Sequence, residues 1–408
     1  MENRNVARNV ARTDCVVVGG GPAGAVLSLL LARRGVDVTV LEAHPDFGRE
    51  FRGDTLHPST MEIMDQLGLA DRILAMPHTK LRSANIPTTD GVFTPVDFSR
   101  LKTKYPYIPL MPQKDFLKFV TENAKSYPGF HLTMNARVTG LVKRSGVVRD
   151  VRYRGPDGER EVHAALTVGA DGRGSRVRKL AGFEPLRSSP PMDVLWFRLP
   201  KEGGDPEGLQ GRIGSGHITV LLEREDHWQC GYIIPKGGYP ELRRAGIEEF
   251  REAFGRLAPD FSERTATLTD WREFALLSVE SSMCRGWHRP GLLVIGDAAH
   301  VMSPVGGVGI NYAIQDAVAT ANLLADSMVK GYVSDNELRK VQRRRELPTR
   351  FIQWLQSAIQ RNVLAPTLDS DETLSPPKAL VYATKIPFVR GIAARVIAFG
   401  IRPERVGD

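Results

Sequence analysis

The sequence predicts an α/β fold, in which a mostly parallel sheet with helices is interleaved with a second, mainly β layer and followed by a helical tail. Three observations carry this reading. Asp14 to Glu42 reads as a complete strand–helix–strand unit. Leu292–Ile295 is another wholly apolar strand, with a long helical pattern over Ile310–Met328 after it. Between them, residues 186–285 alternate short strand-like runs with Gly-rich turns.

The chain has 408 residues, which predicts two to three structural units at about 150 residues each. Hydrophobic types make up 42% and charged types 25%, and the 39 Gly and 27 Pro are scattered, so a disordered, collagen-like or disulfide-scaffold protein is excluded. The net charge of +8 leaves an anionic ligand, nucleic acid or a membrane surface open. Cys15, Cys230 and Cys284 are far apart and lack zinc-type spacing, which points to a reducing, cytoplasmic compartment. Residues 1–12 carry a tandem Asn-Val-Ala-Arg without an apolar core, and are expected to be a flexible extension rather than a secretory signal. No apolar run approaches the length of a membrane span.

In chain order, Asp14–Val18 is an apolar strand of the kind buried in a parallel sheet. It enters Gly19-Gly20-Gly21-Pro22-Ala23-Gly24, where Pro22 suits the first turn of a helix that stops at Gly35. Val36–Leu41 follows as a strand, with Glu42 at its carboxyl end. Ser59-Thr-Met-Glu62 reads as a capping box opening a short helix that ends near Gly68. Residues 80–110 look like strands and loops of a different layer, and Lys114–Lys125 is an amphipathic helix. Strands occupy about 130–170, with a hairpin turn at Gly155-Pro156-Asp157-Gly158. The tail from 336 is helical and expected to break at Pro348, Pro366, Pro376, Pro377 and Pro387. Within it, Lys340 and Arg343-Arg344-Arg345 read as a solvated face.

The glycine loop carries chemistry. Gly19 permits the tight turn, Gly21 lets a pyrophosphate approach the backbone, and Gly24 allows close helix–strand packing, with the helix N-terminus facing the negative charge. Glu42, about twenty residues on, stands where an acid holds ribose hydroxyls, and Ala43 follows it. The loop alone leaves NAD and FAD both open. Two later motifs choose between them: Thr167-Val-Gly-Ala-Asp171-Gly172-Arg-Gly-Ser175-Arg-Val177-Arg178, and Leu293-Val-Ile-Gly296-Asp297-Ala298-Ala299-His300.

In this order the three motifs resemble the class A flavoprotein monooxygenases, the para-hydroxybenzoate-hydroxylase-like family, over roughly residues 13–345. The resemblance implies a Rossmann-like FAD domain (13–78, 111–185 and 286–335) interleaved with a substrate domain (79–110 and 186–285), and a helical tail over 336–408. It implies FAD as cofactor, NADPH or NADH as reductant, and O2 as co-substrate. A small aromatic, polyketide or isoprenoid-like molecule would be hydroxylated or epoxidised through a flavin C4a-hydroperoxide. By the same resemblance Asp297 binds the ribityl chain, and Pro304, Gly307, Val308, Gly309 and Asn311 lie at the flavin ring. Asp171 and Gly172 meet the FAD diphosphate and the nicotinamide nucleotide; Arg52, Gln113 and Val138 contact pyrophosphate, ribityl and adenine. Trp196, Trp228, Tyr232 and His57 are the expected substrate-pocket residues, and His300 is expected to pack beside the cofactor.

No Ser–His–Asp or metal-ligand spacing offers another mechanism, and a flavin-centred reaction needs no protein nucleophile. The alternatives are a flavin-dependent halogenase, an isoprenoid-type reductase, or a non-catalytic protein of the same fold. Trp228-Gln-Cys-Gly-Tyr-Ile-Ile-Pro235 resembles a halogenase box, but Cys230 replaces its second Trp. Nucleic acid is disfavoured because basic and aromatic residues do not interleave. The apolar, basic tail is expected to pack on the flavin domain, with a peripheral membrane contact or a homodimer surface as the other readings.

Overall fold

The structure is a computed structural model that describes residues 11–48, 54–88, 91–214, 216–368 and 387–407. Five strands, β1 (Ala11–Val18), β2 (Val38–Leu41), β3 (Phe130–Thr133), β4 (Gly158–Gly169) and β5 (Leu292–Val294), run parallel in the order β5-β4-β1-β2-β3. Cys15–Val18 of β1, Val38–Leu41, Ala164–Gly169 of β4 and Leu292–Val294 are mostly apolar and buried because both faces of the sheet are covered there, while the leading residues of β1 and β4 are largely polar and exposed. Ala11 and Arg12, expected in an N-terminal extension, already pair with Val162 and His163 as the first residues of β1. The expected hairpin forms, Gly155 pairing with Gly158.

Helix α1 (Pro22–Arg33) returns the chain from β1 to β2, and every residue from Ala23 to Ala32 is buried. It is apolar on all sides because it lies under the sheet between α3 (Gln113–Ala124) and α5 (Gly309–Val329), named below in chain order. The strand order reverses between β1 and β4. The loops after those two strands therefore diverge and open a crevice at the carboxyl ends of the sheet.

Helix α2 (Pro58–Gln66) starts one residue before the expected Ser59 cap. Extended His57 precedes it and Pro58 occupies its first position, where a missing N–H costs nothing; Ser59 is buried inside the first turn. Between α3 and α5 lies the short α4 (Arg176–Leu180). A second, seven-stranded sheet has the order Ala275–Leu277, Met192–Pro200, His227–Pro235, His217–Glu223, Leu209–Gly214, Ser83–Thr88, Gly91–Asp97. One face of this sheet packs Phe197 and Tyr232 against Phe250 and Phe254, and Trp228 against Phe261. The other face turns toward the crevice.

The tail contains α6 (Asp335–Ile359) and α7 (Pro387–Phe399). A capping box, Ser334 with Glu337, opens α6. Pro348 does not break it: flanking Arg345, Thr349, Ile352 and Gln356 are buried against the body, and tertiary packing holds the helix through the lost backbone bond. Pro366 likewise sits within helical residues Ala365–Leu368, after a π turn over Gln360–Leu364 that widens the backbone ahead of the ring. Pro376 and Pro377 lie outside the described residues. Arg345, expected on a solvated face, is fully buried. Its guanidinium meets buried Asp316 at 2.9 Å, which draws it inward, and reaches Glu404 at 3.2 Å, where Arg344 also pairs at 2.7 Å.

Candidate active site

A chamber of about 1520 Å³ fills the crevice and continues across the second sheet. Single-ligand pockets run to about 300–1,000 Å³, so this chamber has room for more than one small molecule. Each loop after a parallel strand supplies one part of its wall. Gly19, Gly21, Pro22 and Ala23 follow β1; Glu42 and Ala43 follow β2; Asp171 and Gly172 follow β4; Asp297 follows β5.

The β1 loop is built from close approaches. Gly19 sits at φ +102°, and a Cβ there would lie 2.5 Å from the Ala170 carbonyl oxygen, across the point where the strand order reverses. A Cβ on Gly24 would collide with the Gly19 carbonyl oxygen, while one on Gly21 would project into open space. Helix α1 has no side-chain cap and no acid in its first turn, so its leading amides remain available to an anion at the chamber wall. The Glu42 carboxylate accepts from Gly20 N at 2.7 Å and His44 N at 3.0 Å, which fixes its orientation beside that loop.

Asp171 accepts from Ser175 Oγ and from the amides of Arg176 and Val177, closing the turn into α4. Buried Arg178 reaches back to the carbonyls of Asp297 and Ala298 at 3.2 and 3.1 Å, tying the β4 and β5 loops together. Arg173 pairs with Asp297 at 3.3 Å. Before α5, Gly306 and Gly307 take φ of +79° and +62°, so the chain turns sharply under the chamber floor. Asn311 staples that turn to residues 55–60. Its Oδ1 accepts from His57 N at 2.8 Å and Thr60 Oγ1 at 2.6 Å, and its Nδ2 donates to the Thr55 carbonyl at 3.2 Å.

Across the chamber the wall is apolar. Val194, Trp196, Ile218, Val220 and Ile233 come from the sheet, Phe351 and Leu355 from α6, and Ile392, Ala393, Val396 and Ile397 from α7. Gly231 makes room for Trp196, whose ring would lie 2.9 Å from a Cβ at that position. A charged group interrupts this side, Asp54 and Arg224 paired at 2.7 Å with Gln229 beside them.

These elements make a donor-lined crevice joined to a large apolar space. The FAD binding domain family matches residues 12–353 of the chain. The chain belongs to that FAD-binding family. Among its relatives, the 6-methylpretetramide 4-monooxygenase of Streptomyces rimosus is 33% identical over 97% of this chain and 94% of its own length. A 12-dehydrotetracycline 5-monooxygenase/anhydrotetracycline 6-monooxygenase from the same species is 32% identical over 75% of this chain, which spans 61% of that longer protein. In fold, the chain superimposes on P. aeruginosa PqsL in complex with 2-aminobenzoylacetate with a TM-score of 0.76 at 21% identity, covering 88% of this chain and 100% of that one. The protein is an FAD-dependent monooxygenase, with NAD(P)H as the reductant typical of its family.

Within this FAD-binding chain the structure gathers Gly19, Gly21, Pro22, Ala23, Glu42, Ala43, Gln113, Val138, Asp171, Gly172, Asp297, Pro304, Gly307 and Gly309 at one chamber. Gly24, Val308 and Asn311 stand behind its wall as packing and stapling residues. Arg52 lies outside the described residues. Of the pocket aromatics, Trp196 lines the chamber. Trp228 and Tyr232 do not: side chains alternate along a strand, so Gln229, Gly231 and Ile233 face the chamber while Trp228 and Tyr232 point into the core beneath.

His57 is also displaced from its expected place. It is fully buried outside the chamber lining, Nδ1 lies 2.9 Å from the Ile397 carbonyl, and burial lowers its pKa to about 4. That makes it the neutral donor that fastens α7 to the loop before α2. His300 sits under the β5 loop, its Nε2 2.6 Å from Asp316, which also accepts from Gly296 N. Sequence reading missed Asp54, Arg224 and Gln229. Arg224 sits in the charged run Glu223-Arg224-Glu225-Asp226, which has the look of a solvated turn, and Asp54 is 170 residues from it.

Proposed function

We propose that this monooxygenase hydroxylates a multi-ring phenolic or polyketide-like substrate, held between the cofactor end of the chamber and the apolar face of the second sheet. The observation that carries this reading is the size and apolar character of the space beyond the glycine loops. The two tetracycline-type relatives support it, since their named substrates are fused-ring compounds.

In this reading residues 13–78, 111–185 and 286–335 hold FAD, residues 79–110 and 186–285 hold substrate, and 336–408 closes the chamber. The α1 amides and the glycine loop would cradle the pyrophosphate and Glu42 the ribose. Asp297 and Gln113 would meet the ribityl chain, and Val138 the adenine. Asp171 and Gly172 would lie along the diphosphate, and the uncapped start of α5, with Pro304, Gly307 and Gly309, would face the ring. The bound flavin supplies reduction by NAD(P)H and transfer of one oxygen atom from O2. The chain's own part is to fix the ring, orient the substrate against it and exclude water. Ala393, Val396 and Ile397 of α7 line the chamber, while Ile392 is about half exposed.

Spectral titration of the FAD-loaded protein with one-, two- and four-ring phenols tests the substrate class. Affinity is expected to rise with ring number, because each ring buries further apolar area at about 25 cal/mol per Å². Equal or tighter binding of single-ring phenols would contradict it.

A further inference from the structure

Arg224 directly follows the strand His217–Glu223 of the second sheet and lines the chamber with only 9% of its side chain exposed. Two neighbours hold it. Its Nη2 donates to Asp54 Oδ2 at 2.7 Å and to Gln229 Oε1 at 2.7 Å, and its Nε donates to Gln229 Oε1 at 3.0 Å. Asp54 in turn accepts from Gln113 N at 3.4 Å, which ties the group to the start of α3. Nη1 is buried and has no acceptor among the described residues. The Gln229 carbonyl oxygen is taken up by Arg224, which leaves its amide nitrogen, a donor, as the group's other polar atom.

A guanidinium can give five N–H bonds, and a buried one left without an acceptor costs free energy until something supplies it. Thr219, Val220, Leu222 and Gly231 of the same sheet also line the chamber and carry no anion. The cluster is thus rich in donors and short of acceptors, inside a space otherwise suited to rings. Its link to Gln113 places it at the junction between the two ends of the chamber.

Resting on the reading above, we propose that Arg224, with Gln229, is a substrate-specificity site that binds the ionised oxygen of a phenolate or of an enolised 1,3-dicarbonyl. Asp54 acts as a positioning residue that holds the guanidinium in place. The pair keeps the oxygen-bearing edge of the substrate at the ring junction while the apolar rings extend along the sheet.

The test uses the FAD-loaded full chain and two probes, alizarin, which ionises, and its 1,2-dimethyl ether, which does not. Kd for each is read from the flavin spectrum in the wild type, Arg224→Lys, and the charge-neutral pair Asp54→Asn/Arg224→Gln, which leaves no buried carboxylate unpaired. The neutral pair is expected to weaken alizarin by about 10- to 100-fold, the cost of a lost charge-assisted hydrogen bond. The ether should change less than about threefold, Arg224→Lys should recover part of the alizarin affinity, and the FAD Kd should stay within about threefold. Equal weakening of both probes would overturn the proposal. So would loss of FAD affinity with alizarin binding unchanged, which would assign the donors to the cofactor instead. If neither probe binds the wild type but a single-ring phenol does, the multi-ring reading fails; running phenol and anisole as a second pair then tests the Arg224 site on its own, and equal affinities for these two would overturn it.

Discussion

Gly24 sets the tolerance of the cofactor end at the residue scale. A methyl group there would strike the Gly19 carbonyl, so the loop must open to admit it. Gly24→Ala is expected to weaken FAD binding by at least about tenfold, read by flavin fluorescence on dilution, because the α1 amides lose their alignment. An unchanged FAD Kd would show that the close approach has no bearing on the cofactor. His57 makes a prediction in pH. The folded imidazole stays neutral down to about 4, against an ordinary value of 6.5, so between these values the unfolded chain binds more protons. Stability therefore rises with pH across that window and falls as acid is added. Urea unfolding of His57→Gln at pH 7 and near pH 4.5 should show an acid loss smaller than the wild type's by about 2–3 kcal/mol.

Among the elements, α6 and α7 convert the tail into a chamber wall. Arg345 joins Asp316 of α5 to Glu404, and Asp316 also holds Gly296 N and His300. Removing the cation leaves buried Asp316 with only His300 and Gly296 N among the described residues, while Glu404 keeps Arg344 at 2.7 Å, so Arg345→Met should destabilise by about 3–5 kcal/mol in denaturant unfolding. It should also loosen FAD, because the β5 loop loses its support. Ala393 of α7 faces the chamber, and Ala393→Trp should obstruct a four-ring phenol at least about tenfold while leaving FAD retention intact. Much of this architecture was legible: the apolar strands and the three glycine or acid turns are local patterns, and they mark the cofactor end. Local pattern does not say which face of a strand looks into a cavity, and so Trp228 and Tyr232 were placed one residue out of phase with Gln229 and Ile233. Nor does it reveal that Arg345 has distant carboxylates to meet, or that Arg224 reaches Asp54 across 170 residues. Those partners exist only once the two sheets face each other.

At the scale of the whole molecule, a Rossmann-type parallel sheet and an antiparallel sheet share one chamber, closed by the tail. The +8 charge needs no nucleic acid, since FAD, NAD(P)H and an ionised phenol are all anions. In this molecule the chamber is expected to couple a reduced flavin to oxygen transfer onto a multi-ring substrate. The most direct measurement is mass spectrometry of the product formed by the FAD-loaded protein with NAD(P)H, a four-ring phenol and ¹⁸O₂. The expected product bears a single ¹⁸O, with NAD(P)H consumption stimulated by the phenol. Label entering from H₂¹⁸O instead, or NAD(P)H consumed only to give peroxide with the phenol recovered unchanged, would contradict it.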